Sequence, residues 1–251
     1  MKSAIITGAA GGLGAATAER ASRLGYRVGV LDRDGDKAQA LAARLANAVA
    51  LQADLTNEAS VAAALDAFGA VPDLLVNNAG IVRFGTLADQ GIAKFREVVD
   101  VNLMGTFIPA WLVGVKMVAR GSGVIINTTS INAITPGPNT GAYPATKAAI
   151  AKLTEHMAIE WGPAGVRVNC VAPGFIDAGM SAPIYANPGV RALRGGGVPL
   201  RRLGTADDVA ASIMFLASDE GAYIHGHQLV IDGGVVHSLL AQLPREPGAK
   251  R

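Results

Sequence analysis

Short runs of apolar, often β-branched residues punctuate the chain at Ser3–Thr7, Arg27–Leu31, Ala48–Gln52, Asp73–Val76, Gly123–Thr129, Val166–Val171 and Gln228–Ile231, and predict strands. Between them apolar positions recur at helical spacing. That pattern predicts helices from the glycine-rich turn to about Leu24, over Asp36 to Leu45, Glu58 to Phe68, Tyr143 to Trp161 and Ala206 to Ala217. Two further helical stretches start near Gly91 and Asn102 and run to Ala119. Strands of such uniform apolarity are buried on both faces, as in parallel sheets covered by helices, and ligands of open parallel sheets bind at the carboxyl ends of the strands. The pattern weakens between Ala178 and about Val198, rich in Pro, Gly and small residues, which predicts a mobile lid. The stretch from about 235 to 251 reads as a tail, and its end, LPREPGAKR, is expected to fray.

The 251 residues, half of them apolar, fit one large α/β domain spanning residues 1 to 251 better than two small ones, and no internal repeat or linker interrupts them. No uninterrupted apolar run reaches the length of a membrane span. A net charge of +2 excludes the basic footprint of a nucleic-acid binder or of a protein drawn to acidic membranes. Cys170 is the only cysteine, so an intramolecular disulfide and a cysteine metal cluster are both excluded; it reads as a small core residue. Met1-Lys2 leads straight into a strand rather than a charged head with a long apolar segment, so a cytoplasmic protein is expected.

The candidate chemistry lies at the strand ends. Gly8, Gly12 and Gly14 form a Gly-x-x-x-Gly-x-Gly turn between a strand and a helix, where backbone N–H groups approach a pyrophosphate and the helix N-terminus adds positive charge. The next strand ends in Asp32, a carboxylate that accepts from a ribose diol and repels a 2′-phosphate, which favours NAD although Arg33 follows. Asp54, after the third strand, can accept from an adenine amino group or cap its own turn. In Asn77-Asn78-Ala79-Gly80, small residues let the backbone lie against a flat ligand while the amides tie the turn.

Ser130 ends the fifth strand, and Tyr143 and Lys147 stand one turn apart on one face of the helix that follows. A phenol with a pKa of about 10 must drop roughly 3 units to act as a base near neutrality, or about 4 kcal/mol of differential stabilisation. An ammonium about 4 Å away at an effective dielectric near 20 supplies that much. Tyr-x-x-x-Lys alone usually means an amphipathic tyrosine and a solvated lysine, so its weight here comes from its company. Asn102, inside a helical region, reads from sequence as a cap or a satisfied surface group. His225-x-His227 has metal-pair spacing but no nearby third ligand, so both read as loop histidines and no metal is expected. His156 lies too far along the Tyr143 helix to be a base, and Arg191 and Arg194 read as solvated rather than as an anion site. Ile131, Ala133, Ile134, Met180, Pro183, Ile184 and Tyr185 suggest an apolar substrate pocket.

Taken together, the Thr7-Gly8-x-x-x-Gly12-x-Gly14 loop, Asp54, Asn77-Asn78-Ala79-Gly80, Asn102, Ser130, Tyr143-x-x-x-Lys147, Asn169 and Pro173-Gly174 resemble the short-chain dehydrogenase/reductase family. The matches run in the family's order from Ser3 to Gly234. The resemblance implies an α/β, Rossmann-type three-layer fold, a seven-stranded parallel sheet with helices on both faces and NAD across its carboxyl edge. It implies that Tyr143 is the general acid/base, Ser130 orients the substrate oxygen, Lys147 lowers the tyrosine pKa and holds the nicotinamide ribose, and Asn102 positions a relay water. For the cofactor it points to Gly8, Gly12, Leu13, Gly14, Asp32, Arg33, Asp54, Leu55, Asn78, Ala79, Gly80, Tyr143, Lys147, Pro173, Gly174 and Ile176. One departure stands out: where the family often carries a threonine after Pro-Gly, this chain has Ala178, leaving the Ile176 backbone or Ser181 to hold the carboxamide. The family further implies a homotetramer, with helices near Thr106 to Ala119 and Tyr143 to Trp161 packed between subunits. Three functions follow: a NAD-dependent secondary-alcohol dehydrogenase acting on an alcohol/ketone pair, a 3-oxoacyl-thioester reductase, or a non-catalytic dinucleotide sensor.

Overall fold

The computed structural model describes residues 1–239. The seven apolar runs become β1 (Ser3–Thr7), β2 (Arg27–Asp32), β3 (Ala48–Gln52), β4 (Leu74–Asn77), β5 (Gly123–Thr128), β6 (Val166–Pro173) and β7 (Gln228–Ile231). They pair in parallel in the order β3-β2-β1-β4-β5-β6-β7. Strand order therefore reverses between β1 and β4, and a crevice opens at such a switch point.

Alternation along each strand divides the core in two. Ile6, Val28, Val30, Val76, Ile126 and Val171 face α1 (Gly12–Arg23), α2 (Gly35–Ala42) and α9 (Ala206–Ala217). Ile5, Leu31, Leu51, Leu75, Ile125 and Val168 face α3 (Glu58–Phe68), α5 (Gly105–Arg120) and α6 (Tyr143–Trp161) on the other side. Each fully buried residue of this size contributes roughly 1.5–3 kcal/mol, so the strand register is strongly specified. Cys170 belongs to this interior, and burial pushes its thiol up to about 11.

Several boundaries differ from the sequence reading. α4 (Leu87–Val99) begins earlier than Gly91, because Thr86 caps it by accepting from Asp89 N–H, and Gly91 is a kink with φ of 65°. Asp100–Met104 then form a π-helical turn before α5, which carries Pro109 inside it. The helical run Leu87–Arg120 is long and apolar enough to cross a membrane by length and composition only; Asp89, Lys94, Arg96, Glu97, Asp100 and Lys116 interrupt its apolar sequence, and its α5 part packs Ala110, Val113 and Met117 onto the sheet. The expected lid is not irregular either: α7 (Ala182–Tyr185) and α8 (Pro188–Gly197) occupy it, and Asn187 caps α8 by accepting from Gly189 and Val190 N–H. Of the predicted tail, Val235–His237 form a short 3-10 turn, and residues 240–251, including LPREPGAKR, lie outside the described residues.

Candidate active site

The site is assembled where the β1–α1 loop meets the end of β4. Gly8 and Gly12 take φ of 62° and 55°, a conformation that side chains rarely adopt. A Cβ on Gly8 would lie 2.9 Å from Ala79 Cα, one on Gly12 would lie 2.7 Å from Gly179 Cα, and one on Gly14 would overlap the Gly8 carbonyl and the Asn78 carboxamide. The glycine turn, the Asn77–Gly80 turn and the start of the lid therefore close on one another. α1 has neither a side-chain cap nor an acid in its first turn, so the early N–H groups, Leu13's among them, are left for an anion. Thr7 Oγ1 accepts from the N–H of Asn78 (3.0 Å) and Ala79 (3.1 Å). Asn78 Nδ2 in turn donates to the carbonyls of Thr7 and Gly8, so its side chain braces the crevice and Ala79 and Gly80 form its wall.

Toward the outer strands, Asp32 Oδ2 accepts from Ala10 N–H at 3.0 Å and Oδ1 from Asp34 N–H at 3.0 Å. The carboxylate is thus fixed beside the glycine turn, with a second lone pair on each oxygen still free. Arg33 next to it is exposed. Asp54 caps its own turn, Oδ1 accepting from the Thr56 N–H and hydroxyl, and those bonds hold its carboxyl below the usual range. Leu55 turns into the core below.

The chemistry-bearing side chains lie across β5 and α6. Ser130 and Lys147 are buried, whereas Tyr143 keeps part of its surface open. Lys147 Nζ donates to the Thr128 carbonyl at 2.8 Å and stands 5.6 Å from the centre of the Tyr143 ring. Burial brings its pKa down to about 8. The expected lowering of the Tyr143 pKa by Lys147 does not hold among the protein's own groups: burial raises the phenol, and the opposing influence is hydrogen bonding with Ser130. The ammonium is directed to a carbonyl rather than to the phenolic oxygen, which explains the difference.

Asn102 corrects its sequence reading. It is fully buried in the π-helical turn rather than capping or exposed, with Oδ1 accepting from Ile81 N–H at 2.7 Å and Nδ2 donating to the Ile81 carbonyl and Thr146 Oγ1. A Cβ on Gly80 would sit 3.2 Å from Asn102 Oδ1 and 3.4 Å from Lys147 Nζ, so the backbone at Gly80 passes directly against both.

After β6, Pro173 and Gly174 lead to Ile176. A bridge joins Asp177 N–H to the Gly204 carbonyl and Gly204 N–H to the Phe175 carbonyl; the N–H and C=O of Ile176 itself take no part in it. The Ile176 backbone is thus free to meet a carboxamide. Arg191 and Arg194 are not simply solvated: Arg191 pairs with Asp177 at 2.5 Å, and the Arg194 guanidinium lies 5.0 Å from the Phe175 ring. Tyr185, expected in the substrate pocket, is a buried core residue. His225 serves the fold, Nδ1 accepting from Val168 N–H and Nε2 bonding the Ala158 carbonyl; Asn169 likewise bonds Ile224 and His227 backbone. His156 pairs with Glu160.

The residues present fit a dinucleotide: an uncapped helix start, a glycine cradle that any Cβ would fill, and a fixed carboxylate one strand away. Sequence reading missed Asn132, which accepts from Gly137 N–H in the loop before α6, and Gln90 of α4, which donates to the Gly85 carbonyl; an isolated amide carries no periodic signal.

A family model described as "Enoyl-(Acyl carrier protein) reductase" matches residues 8–236. The chain is 35% identical over 242 residues to a 2-(R)-hydroxypropyl-CoM dehydrogenase of Xanthobacter autotrophicus, covering 92% of this chain and 96% of that protein. It is 36% identical over 241 residues to a D-threitol dehydrogenase of Mycolicibacterium smegmatis, covering 93% and 92%. A solved 3-oxoacyl-[acyl-carrier protein] reductase with bound NAD from Brucella melitensis superposes with a TM-score of 0.87 at 33% identity, covering 93% of this chain and 90% of that one.

Proposed function

Since the chain belongs to the short-chain dehydrogenase/reductase family, we propose that it is a NAD-dependent oxidoreductase interconverting a secondary alcohol and a ketone, with Tyr143 as general acid/base. The observation that carries this reading is the gathering of Ser130, Tyr143, Lys147 and Asn102 beside the glycine cradle.

The dinucleotide, when bound, supplies the acceptor or donor of the hydride. Everything else falls to the chain. In the oxidative direction Tyr143 Oη takes the proton of the alcohol, and Ser130 Oγ holds the oxygen on which negative charge develops. Lys147, fixed by the Thr128 carbonyl, keeps a positive charge within reach of the ring and a donor for the nicotinamide ribose. Asn102, bound to both Ile81 backbone groups, sets the wall behind Lys147 and positions a relay water. The glycine turn and Leu13 N–H would hold the pyrophosphate, Asp32 and Arg33 would meet the adenosine ribose, and Asp54 and the Leu55 backbone would meet the adenine. Ala79 and Gly80 would line the cofactor, and Pro173, Gly174 and Ile176 would hold the nicotinamide end. Fixed beside the glycine turn, Asp32 would repel a 2′-phosphate, which supports NAD over NADP. We assign the protein to the cytoplasm as a homotetramer.

A second reading, reduction of a 3-oxoacyl thioester, is favoured by the NAD-bound Brucella structure. A panel of secondary alcohols, ketones and 3-oxoacyl thioesters, run with NAD(H) and with NADP(H), separates the two. Turnover of a simple alcohol or ketone with kcat/KM at least about tenfold higher for NAD(H) is expected, a difference of about 1.4 kcal/mol. Turnover confined to the thioesters moves the protein to the second reading, and preference for NADP(H) overturns the role given to Asp32.

A further inference from the structure

We propose that Asn132 is a positioning residue, the clip that sets the Ser130 hydroxyl and couples it to the start of the Tyr143 helix. The inference rests on the reading of Ser130 and Tyr143 as the reaction centre.

Ser130 leaves β5 with extended backbone and caps the 3-10 turn Ile131–Ala133, its Oγ accepting from Asn132 N–H at 3.1 Å. A serine hydroxyl has one proton and two lone pairs. With one lone pair bound to a backbone donor, the hydroxyl is oriented and polarised, and its proton is directed to another acceptor. The turn's own bonds, from Ala133 N–H to the Ser130 carbonyl at 2.9 Å and from Ile134 and Thr135 N–H to the Ile131 carbonyl at 2.9 and 2.8 Å, fix its backbone but do not tie it to the loop ahead of α6.

The Asn132 side chain makes that tie. Oδ1 accepts from Gly137 N–H at 2.7 Å. Pro136 and Pro138 flank Gly137 and have no N–H, so this is the one backbone donor in the Pro-Gly-Pro tip, and Asn132 takes it. From Gly137 the connection continues: Thr140 Oγ1 donates to the Gly137 carbonyl at 2.7 Å, and Tyr143 N–H donates to the Thr140 carbonyl at 3.1 Å. On its outer side the loop is held by Gly85 N–H donating to the Asn139 carbonyl at 3.0 Å. A single carboxamide thus closes the path from the serine to the tyrosine. Catalytic groups tolerate displacements of only about 0.5 Å before rate is lost.

The test uses the full chain and two chemically different secondary alcohols. Asn132→Ala should lower kcat on both by about ten- to hundredfold and shift the kcat pH profile, with NADH binding within about twofold of wild type. Asn132→Asp keeps an acceptor at Oδ1 and should stay within about threefold. Gly137→Ala is the second, milder probe: its Cβ would lie 3.1 Å from Asn132 Oδ1, so it crowds the clip without deleting it and should lower kcat in the same direction. The proposal is overturned by unchanged kcat in Asn132→Ala, or in Gly137→Ala if the first variant does not fold. It is also overturned by a loss confined to the KM of one alcohol, which marks a substrate contact, or by a parallel loss of NADH binding, which marks a merely structural role. Wild-type protein that turns over no alcohol or ketone removes the functional reading itself, whereas an active wild type with an indifferent Asn132→Ala removes only this inference.

Discussion

Lys147 shows most sharply what the site demands of one residue. Buried against the sheet, with a carbonyl as its hydrogen-bond partner, it has a pKa of about 8 in place of the usual 10.5. Between those values the folded chain binds fewer protons than the unfolded chain, so stability increases as pH rises. The destabilisation caused by burying the ammonium, up to about 3 kcal/mol, is fully present below about 8 and gone above 10.5. Denaturant unfolding of wild type and Lys147→Met, compared at pH values on either side of this window, should show wild type gaining relative to the variant as pH rises. Parallel profiles contradict a buried, depressed lysine. An apolar side chain there would avoid this destabilisation, and in the proposed chemistry the charge serves the nicotinamide ribose and the reacting centre instead.

At the scale of elements, the glycine turn and α1 carry the cofactor claim. A Cβ on Gly14 collides with the backbone of Gly8 and the side chain of Asn78, neither of which can yield without moving the turn. Gly14→Ala should therefore weaken NADH binding at least about tenfold in a fluorescence titration, a loss of about 1.4 kcal/mol, and unchanged affinity would show that the crevice is not where the dinucleotide binds. The strands, Asp32 and the Tyr143 helix were legible in the sequence because apolar runs and helical spacing record burial directly. Asn102 was not, because a π-helical turn that buries an amide has the same sequence pattern as a capped helix end. Three consecutive glycines, Gly195 to Gly197, concealed α8, whose start was written in Asn187-Pro188, a cap followed by a proline in the first turn. The orientation of Lys147 toward Thr128 rather than toward the phenol depends on β5, distant in sequence, and so lay beyond any reading of i to i+4 spacing.

The whole molecule presents an unusual apolar surface for a single chain. Phe107, Trp111 and Val115 stand exposed one turn apart along α5, and Ile159 stands exposed on α6. Contiguous apolar stripes of this kind mark association surfaces. Trp111→Glu should convert the expected tetramer to a smaller species in light scattering while NADH binding survives; an unchanged mass would move the interface elsewhere. Every step of the proposed chemistry depends on proton transfer at one phenol. The most direct measurement is the steady-state rate of NADH formation from a turned-over secondary alcohol by Tyr143→Phe, taken beside its NADH affinity. A fall in kcat of roughly a hundredfold or more, with affinity within about twofold of wild type, is the predicted result. Retained turnover would contradict it.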